Sequence, residues 1–318
     1  MIADLTERIR GEVGKLFVAQ DDLVTGCLIA LLAGGHVLIE SVPGLGKTLL
    51  VRTLGQTLGC QFGRVQFTAD LMPSDLTGAP VFDMQTSEFK FRPGPVFTQF
   101  LLADEINRSP AKTHAALLEI MQEYRVTVDG TSHNVPRPFL VLATQNPLES
   151  EGTYQLPEAQ LDRFLFKLTV DYPPAQAEAD ILKMHSRGQT LAARLDTEVA
   201  AVANPQIVLD AMAHCQTVRI GDPLVDYINQ IVRATRGWPA FYIGASPRAG
   251  LAIMQTSRVV AAMADRDFAT PDDVGDVVLP ALRHRVQLTA EAEIEGRTTD
   301  QELESLVSTI DVPRGEMV

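Results

Sequence analysis

Short apolar runs recur along the first half of the chain, and stretches with helical spacing separate several of them. The strands of a parallel sheet read as nearly continuous apolar runs, because helices cover both faces of such a sheet. A helical stretch such as residues 112–124, between two runs, is typical of a βαβ crossover. The pattern predicts an α/β fold with a mainly parallel five-stranded sheet. Its strands are expected at residues 37–40, 64–68, 99–103, 139–143 and 165–170.

Two segments interrupt this alternation and predict inserted β-hairpins. In residues 79–98, short apolar stretches flank the polar residues 85–88. In residues 125–136, an alternating RVTV stretch meets Asp129-Gly130, which is a strong hairpin signal because a type I′ turn needs positive φ at both central residues. Neither hairpin carries catalytic side chains, so each either decorates the edge of the sheet or contacts a partner.

Helical spacing also precedes the first strand. Leu5, Ile9, Val13 and Leu16 recur at intervals that place them on one face of a helix, and Asp21 is expected to cap a second helix. The chain therefore begins with two helices before it enters the sheet.

The tripeptide Tyr172-Pro173-Pro174 ends the part of the chain that carries strands. From residue 176 onward the apolar positions follow helical spacing, and the apolar run 199–203 is included in this pattern. We therefore predict an α/β domain at residues 1–172 and an all-helical domain at residues 173–318. Further helices are expected at residues 224–233, 247–264 and 271–282.

Charge and composition narrow the choice of partner. The net charge of −13 and the pI near 4.9 disfavour a general nucleic-acid binder, which needs a basic surface to displace counterions, and favour a protein partner. Cys27, Cys60 and Cys215 lack metal-ligand spacing and predict core thiols in a reducing compartment. The longest apolar run, residues 27–33, is too short to cross a bilayer. We therefore expect a cytoplasmic protein without membrane insertion.

A glycine-containing loop follows the first strand and ends in Lys47 and Thr48. A strand, such a loop and a following helix together form a phosphate cradle, in which backbone N–H groups and the helix N-terminus face the anion. Lys47 is then expected to reach the β- and γ-phosphates of ATP, and the Thr48 hydroxyl to bind Mg²⁺. Ser41 stands where the usual phosphate-binding motif has glycine. The alternative to a phosphate cradle is an ordinary strand-to-helix turn with a solvated lysine. The predicted nucleotide-binding residues are Val42, Pro43, Gly44, Leu45, Gly46, Lys47, Thr48 and Leu49.

A pair of acids ends the strand expected at residues 99–103. Asp104 at the tip of a strand is suited to hold Mg²⁺, usually through water, and Glu105 is suited to polarise the attacking water. A solvated acidic turn is the alternative, but the preceding phosphate cradle favours the catalytic interpretation.

Three further polar residues are weaker candidates. Asn146 follows the strand expected at residues 139–143, where an amide could position water or contact the γ-phosphate, although an Asn-Pro turn needs no function. Arg163 and Arg248 are single arginines, and spacing alone favours a surface ion pair for each of them.

Several long motifs together resemble the MoxR family of AAA+ ATPases, and the likeness covers nearly the whole chain. The resemblance implies an α/β ATPase domain, a helical lid and assembly into a ring, commonly a hexamer, with ATP at the subunit boundaries. The motifs are RVQFTADLMPSDLTG (64–78), FRPGPVF (91–97), LLADEINRSPAKTHAALLEIM (101–121), VLATQNPLESEGTYQLPEAQLDRF (141–164) and GASPRAGL (244–251).

The same resemblance implies roles for the weaker candidates. Asn146 matches the first sensor residue, Arg163 the arginine finger aimed at the neighbouring subunit's γ-phosphate, and Arg248 the second sensor contact from the lid. The hairpins correspond to inserts of this branch, whose relatives include magnesium-chelatase subunits and replicative helicases. Ala19, like Ser41, departs from the pattern, since relatives often carry glycine there beside the adenine.

The leading interpretation is an ATP-driven machine that remodels a client protein. Family members often act with proteins bearing a von Willebrand factor A domain, in maturing or inserting metals into other proteins. A nucleic-acid motor would need a basic channel, whereas the hairpin cations are only Lys90, Arg92, Arg125 and Arg137. A scaffold that binds nucleotide without catalysis has little need for a carboxylate at Glu105, so this residue argues against that alternative.

Overall fold

The computed structural model describes residues 1–17, 20–42, 44–146, 154–185 and 191–313. The strands are β1 Val37–Ser41, β2 Phe62–Gln66, β3 Gly78–Asp83, β4 Glu88–Pro93, β5 Phe100–Asp104, β6 Arg125–Val128, β7 Thr131–Asn134, β8 Leu140–Gln145, β9 Phe166–Val170, β10 Phe241–Ile243 and β11 Gln287–Leu288. The helices of the first half are α1 Ile2–Gly14, α2 Asp21–Leu32, α3 Lys47–Thr57, α4 Pro73–Thr77, α5 Ala111–Glu123 and α6 Glu158–Leu161. Those of the second half are α7 Ala175–His185, α8 Leu191–Glu198, α9 Pro205–Gln216, α10 Asp222–Thr235, α11 Pro247–Met263, α12 Pro271–Leu282, α13 Ala290–Ile294 and α14 Thr299–Ser308.

The central sheet has five strands in the order β2-β5-β8-β1-β9, and every neighbouring pair is parallel. The predicted fold class is confirmed, and each predicted strand overlaps an observed one. Because the strands are parallel, their carboxyl ends lie along one edge of the sheet. The segments that follow β1, β5 and β8 therefore meet there, and these segments carry the candidate nucleotide-binding and catalytic residues.

The two faces of the sheet pack into different cores. Val37 and Ile39 belong to one cluster of buried side chains, whereas Leu38 between them belongs to another. Successive side chains of a strand point to opposite faces, so both faces of β1 are covered. This double burial is the physical reason for the unbroken apolar runs in the sequence. The first cluster also includes residues of α9, α10, α11 and α12, and so extends from the sheet into the second half.

Both predicted hairpins are present. Strand β3 pairs with β4 in antiparallel register from Gly78↔Pro93 to Asp83↔Glu88, and β6 pairs with β7 in the same manner. Asp129 and Gly130 have φ of 49° and 78°, the left-handed values that a two-residue hairpin turn requires.

The second half differs from the all-helical prediction in two places. Strands β10 and β11 form a two-stranded antiparallel sheet, so the all-helical description is wrong. The run 199–203 is also not helical, because α8 ends at Glu198 and Val199 packs with Leu16 and Leu195. The backbone N–H of Val202 donates to the Thr57 carbonyl at 2.8 Å, so this apolar run forms a packed connection. A boundary between residues 172 and 173 stays a prediction.

The prediction that Asp21 caps the second helix is wrong. The N-cap of α2 is Gln20, and Asp21 is the first residue of the helix, where its negative charge still favours the helix dipole. The apolar face predicted for the first helix is confirmed, since Leu5, Ile9 and Val13 are buried.

The cysteines behave as predicted for core thiols. Cys27, Cys60 and Cys215 are free and buried. Burial raises the pKa of Cys27 and Cys60 to about 12 and that of Cys215 to about 11. These thiols therefore stay protonated at neutral pH. In the part of the chain that the structure describes, no helix is long and apolar enough to cross a membrane.

Candidate nucleotide-binding and catalytic site

The loop between β1 and α3 has the backbone of an anion-binding turn. Gly44 and Gly46 have φ of 89° and 75°, which an L side chain rarely adopts, and Gly46 is the N-cap of α3. No side chain caps this helix, so the first N–H groups of α3 remain available for an anion. Lys47 and Thr48 begin the helix, while Leu45 and Leu49 pack against the core. Val42 is half-buried beside them, and Pro43 lies outside the described residues.

Ser41 has a contact that the sequence did not predict. Lys47 Nζ donates a hydrogen bond to Ser41 Oγ at 2.6 Å and another to the Val42 carbonyl at 3.3 Å. Partial burial lowers the pKa of Lys47, and the negative charges of Asp104 and Glu105 act in the opposite direction. The ammonium is therefore held near β1 and close to both acids. This arrangement brings the phosphate loop and the acidic pair together.

Asp104 is fixed by two partners at the carboxyl end of β5. Thr144 donates to one carboxylate oxygen at 2.6 Å, and Arg64 forms an ion pair with the other at 2.7 Å. Sequence reasoning missed both partners. The alternation of β2 was the available signal for Arg64, since it places Arg64 and Gln66 on the same side of that strand, where the two side chains hydrogen bond at 3.0 Å.

Glu105 directly follows β5 with a backbone φ of 55°, in the left-handed region that residues other than glycine seldom adopt. Its backbone N–H donates to Thr144 Oγ1 at 2.9 Å, and its carboxylate forms an ion pair with Arg108 at 2.9 Å. About a third of the Glu105 side chain is exposed to solvent. The carboxylate is therefore anchored yet reachable by water, as a residue that activates water must be.

The buried hydroxyl of Thr144 thus serves Asp104 and Glu105 together. Replacing Thr144 with Val should lower the free energy of unfolding by about 1 to 3 kcal/mol, because the buried N–H and carboxylate lose their shared partner. Urea denaturation and steady-state turnover measure the effect, and we expect turnover to fall as well. The matched control is Thr57→Val, which removes an equally buried hydroxyl that donates to the Thr53 carbonyl. Equal stability and turnover in the two variants would contradict the bridging role.

The residues predicted for Mg²⁺ suit that ion chemically. Mg²⁺ prefers oxygen ligands and usually keeps several waters, so it needs few protein ligands beside the nucleotide. The hydroxyl of Thr48 and the carboxylate of Asp104 are such donors, on segments that follow β1 and β5 at the same edge of the sheet. The described residues contain no cluster of three or more His, Cys, Asp or Glu that could hold a metal ion.

Asn146 directly follows β8, next to a polar cluster at the same edge. Glu40 accepts a hydrogen bond from Gln145 at 2.7 Å and pairs with Lys167 at 2.7 Å. These contacts join the carboxyl ends of β1 and β8 to Lys167, the second residue of β9. They hold the backbone that leads into Asn146, and its role as a sensor stays a prediction.

Arg163 and Arg248 lie elsewhere. Arg163 follows α6, and the backbone N–H of Leu165 donates to the His36 carbonyl at 2.8 Å, just before β1. This contact places the Arg163 segment at the amino end of β9. Arg248 is exposed in the first turn of α11, where its backbone N–H donates to Ser246 Oγ at 3.2 Å. Within the described residues, no hydrogen bond or ion pair joins either arginine to the phosphate loop.

Asp162 and Arg285, which sequence reasoning also missed, connect these two arginines. Arg285 pairs with Asp162 at 2.7 Å, and Ser246 donates to the other Asp162 oxygen at 3.1 Å. Burial lowers the pKa of Arg285, the ion pair with Asp162 raises it, and the nearby charge of Arg248 lowers it slightly further. The segment that carries Arg163 is therefore tied to the start of α11.

Comparisons with known proteins agree with this geometry. Residues 36–166 match the ATPase family associated with various cellular activities (AAA), and residues 233–306 match an AAA lid domain. The chain is 41% identical to the chaperone MoxR1 of Mycobacterium tuberculosis, over 97% of this chain and 82% of that protein. It is 31% identical to the protein MoxR of Methylorubrum extorquens, over 90% of this chain and 88% of that protein. A crystal structure of a candidate ATPase from Cytophaga hutchinsonii is similar with a TM-score of 0.91 at 38% identity, covering 98% of this chain and 96% of that chain.

Proposed function

The chain belongs to the MoxR family of AAA ATPases and is an ATP hydrolase, and from this premise we propose that it forms a ring with ATP at the subunit boundaries. Many members of the family form hexamers, and a hexamer is the assembly we expect. In such a ring, each site combines the phosphate loop of one subunit with Arg163 of its neighbour. The observation that carries this proposal is the separation of Arg163 from the phosphate loop of its own chain.

The separation follows from the register of the sheet. Leu165 is level with His36, and β1 runs five residues from there to the phosphate loop. At about 3.3 Å per residue, the strand places roughly 16 Å between the two levels. An arginine at the amino end of β9 is thus poorly placed for its own Lys47. This separation from its own phosphate loop supports a role for Arg163 as an arginine finger that acts across a subunit boundary.

The roles at each boundary follow from the charges that ATP brings. Lys47 and the N-terminus of α3 bind the β- and γ-phosphates, and Thr48 and Asp104 hold Mg²⁺. Bound Mg²⁺ neutralises negative charge on the phosphates. Glu105 accepts a proton from the attacking water, while Asn146 orients that water. Arg163 stabilises the charge that develops on the transferred phosphoryl group, and Arg248 adds a second cation from the lid.

A protein is the client that the surface supports best. The hairpin β3–β4 exposes large apolar side chains to solvent, and 88% of Met84 and 72% of Phe89 are accessible. Its Lys90 pairs with Asp83 at 2.5 Å. In the other hairpin Arg125 pairs with Glu123 at 3.3 Å. Cations engaged in this way, on a chain of net charge −13, are poorly suited to bind phosphate backbones, whereas exposed apolar side chains suit an unfolded polypeptide.

We infer that the ring uses ATP hydrolysis to change the angle between the sheet and the lid, and so remodels its client. MoxR1 of Mycobacterium tuberculosis bears the name chaperone, which agrees with this activity. Maturation of client proteins by metal insertion, together with a partner bearing a von Willebrand factor A domain, is the finer proposal that the family resemblance supports.

The choice of client is tested by which polymer stimulates hydrolysis. We expect a permanently unfolded polypeptide to raise turnover and single- or double-stranded DNA to leave it unchanged, because the hairpins offer apolar contacts and few unpaired cations. Turnover is measured with each polymer at about 50 and 200 mM salt, since a phosphate-binding protein loses affinity steeply over this range. Stimulation by DNA that disappears with salt would favour the nucleic-acid motor instead.

The variant Glu105→Gln separates assembly from hydrolysis. It keeps the shape of the side chain but removes the charge that activates water, so it should bind ATP and barely hydrolyse it. Sedimentation of this variant with ATP and Mg²⁺ is expected to show a closed ring. A monomer under those conditions, or turnover equal to that of the wild type, would contradict the proposed site.

A further inference from the structure

A buried arginine of the lid binds the segment that carries Arg163. Arg285 follows α12, and its side chain is only 2% exposed. Its Nε donates to the Asp162 carboxylate at 2.7 Å, and all of its other donors reach backbone carbonyls. Those carbonyls belong to Asp162 at 3.2 Å, Phe164 at 2.7 Å, Leu165 at 3.1 Å and, within the lid, Ala281.

The contacts of Arg285 surround Arg163 in the chain. Asp162 precedes Arg163 and Phe164 follows it, so the guanidinium holds the backbone on both sides of the finger. The second oxygen of Asp162 accepts a hydrogen bond from Ser246, the N-cap of α11. Both oxygens of this carboxylate are therefore occupied by groups of the lid.

The guanidinium is suited to hold a segment in one orientation. It is planar and presents its donors in a rigid fork, whereas a lysine ammonium is a point charge on a flexible stem. A buried ion pair contributes little net stability compared with apolar packing of the same volume. The contribution of the Arg285–Asp162 pair is therefore the geometry that it fixes around Arg163. That geometry matters because the finger must face the charge that develops on the transferred phosphoryl group.

We propose that Arg285 is a positioning residue for hydrolysis, which holds the Asp162–Leu165 segment between the lid and the sheet so that Arg163 keeps one orientation. The inference rests on the proposed role of Arg163 at a subunit boundary. A change of lid angle in one subunit then changes the orientation in which that subunit's arginine finger meets the site of its neighbour. Arg285 itself touches neither the nucleotide nor the reacting atoms.

The variant Arg285→Lys tests the positioning role because it keeps the charge and removes the fork. We expect kcat to fall about 100-fold, the size of effect that a displacement of about 1 Å produces, while the KM for ATP changes less than about 3-fold. Asp162→Asn is a second variant that preserves the shape of the side chain and leaves Arg285 its backbone partners. It should lower kcat in the same direction and covers the case in which Arg285→Lys does not fold.

Arg283→Lys is the matched control. Arg283 lies two residues before Arg285 in the chain. It donates hydrogen bonds to the Lys167 carbonyl and the Thr169 hydroxyl of β9, and it pairs with Asp300. It has no hydrogen bond to the segment around Arg163. A fall in kcat that is equal in Arg283→Lys and Arg285→Lys would show that both merely dock the lid, and would overturn the inference.

Mixed rings show whether Arg285 acts through Arg163. Arg285→Lys subunits keep an intact phosphate loop, so co-assembly with Lys47→Ala subunits, which keep an intact finger, should restore turnover. Co-assembly with Arg163→Ala should not, because both variants lack a working finger. Recovery in the second mixture would overturn the inference. If Lys47→Ala and Arg163→Ala themselves fail to complement each other, the proposed boundary site fails first, and the two failures are thereby distinguished.

Discussion

Replacing Arg163 with Ala is expected to slow ATP hydrolysis by about 10³- to 10⁵-fold, or roughly 4 to 7 kcal/mol in the activation free energy, while ATP still binds. The reason is that an arginine finger neutralises charge that develops mainly in the transition state. Steady-state turnover measures the loss, and calorimetry with a non-hydrolysable ATP analogue measures the retained affinity.

Arg219→Ala is the control for Arg163→Ala. Arg219 is a surface arginine whose ion pair with Asp267 spans 3.1 Å, and both side chains are more than half exposed. Exposed pairs of this kind contribute under about 1 kcal/mol, so this substitution should leave turnover unchanged. If Arg163→Ala behaves like Arg219→Ala, Arg163 is only a surface residue.

Replacing Lys47 with Ala is expected to weaken ATP binding by about 10²- to 10⁴-fold, because removal of one partner from a buried charge pair costs about 3 to 5 kcal/mol. The β- and γ-phosphates lose the cation that the loop places beside them. Calorimetry with the same analogue gives the affinity. Thermal unfolding should change little, since the partners of Lys47 are Ser41 and the Val42 carbonyl, and Ser41 Oγ already donates to that carbonyl.

Lys112→Ala is the control for that experiment, because Lys112 is exposed on α5 and far along the chain from the phosphate loop. An affinity for the analogue and a turnover that are both equal in Lys47→Ala and Lys112→Ala would reject the phosphate cradle. A Lys47→Ala variant that binds normally but fails to hydrolyse would instead confine Lys47 to the transition state.

The sheet could be predicted from the sequence because burial of both its faces leaves a strong apolar signal. Strand β1 shows this well, since Val37 and Ile39 face one core and Leu38 the other. The hairpin at Asp129-Gly130 could be predicted for a local reason, because its turn needs positive φ.

The errors arose where tertiary packing decides the local conformation. The apolar run 199–203 resembles a helix in composition, but Val199 packs against Leu16, which is distant in the chain, and the backbone of Val202 donates to the Thr57 carbonyl. Strand β10 is three residues long and pairs with β11, more than forty residues later in the chain. A pattern of apolar positions carries no information on such a pairing.

The candidate site likewise contains residues that local motifs predict and residues that only the tertiary fold brings together. Lys47, Asp104 and Glu105 stand in motifs whose residues are adjacent in sequence, and the structure brings these three together. The partners that orient the acids come from other strands, as with Thr144 and Arg64. Asp162 and Arg285 are 123 residues apart, so only the fold reveals their ion pair.

The central claim is that Arg163 completes the active site of a neighbouring subunit, and mixed rings of Lys47→Ala and Arg163→Ala test it most directly. Each variant alone is expected to be inactive, for a different reason. The two are co-expressed with different affinity tags, and rings containing both are isolated through the two tags in turn. With random equal mixing in a head-to-tail ring, roughly a quarter of the boundaries join an intact phosphate loop to an intact finger. We predict that hydrolysis returns in proportion to these boundaries. Verified mixed rings that remain inactive would contradict the claim, because Arg163 would then act within its own subunit or serve more than the finger role.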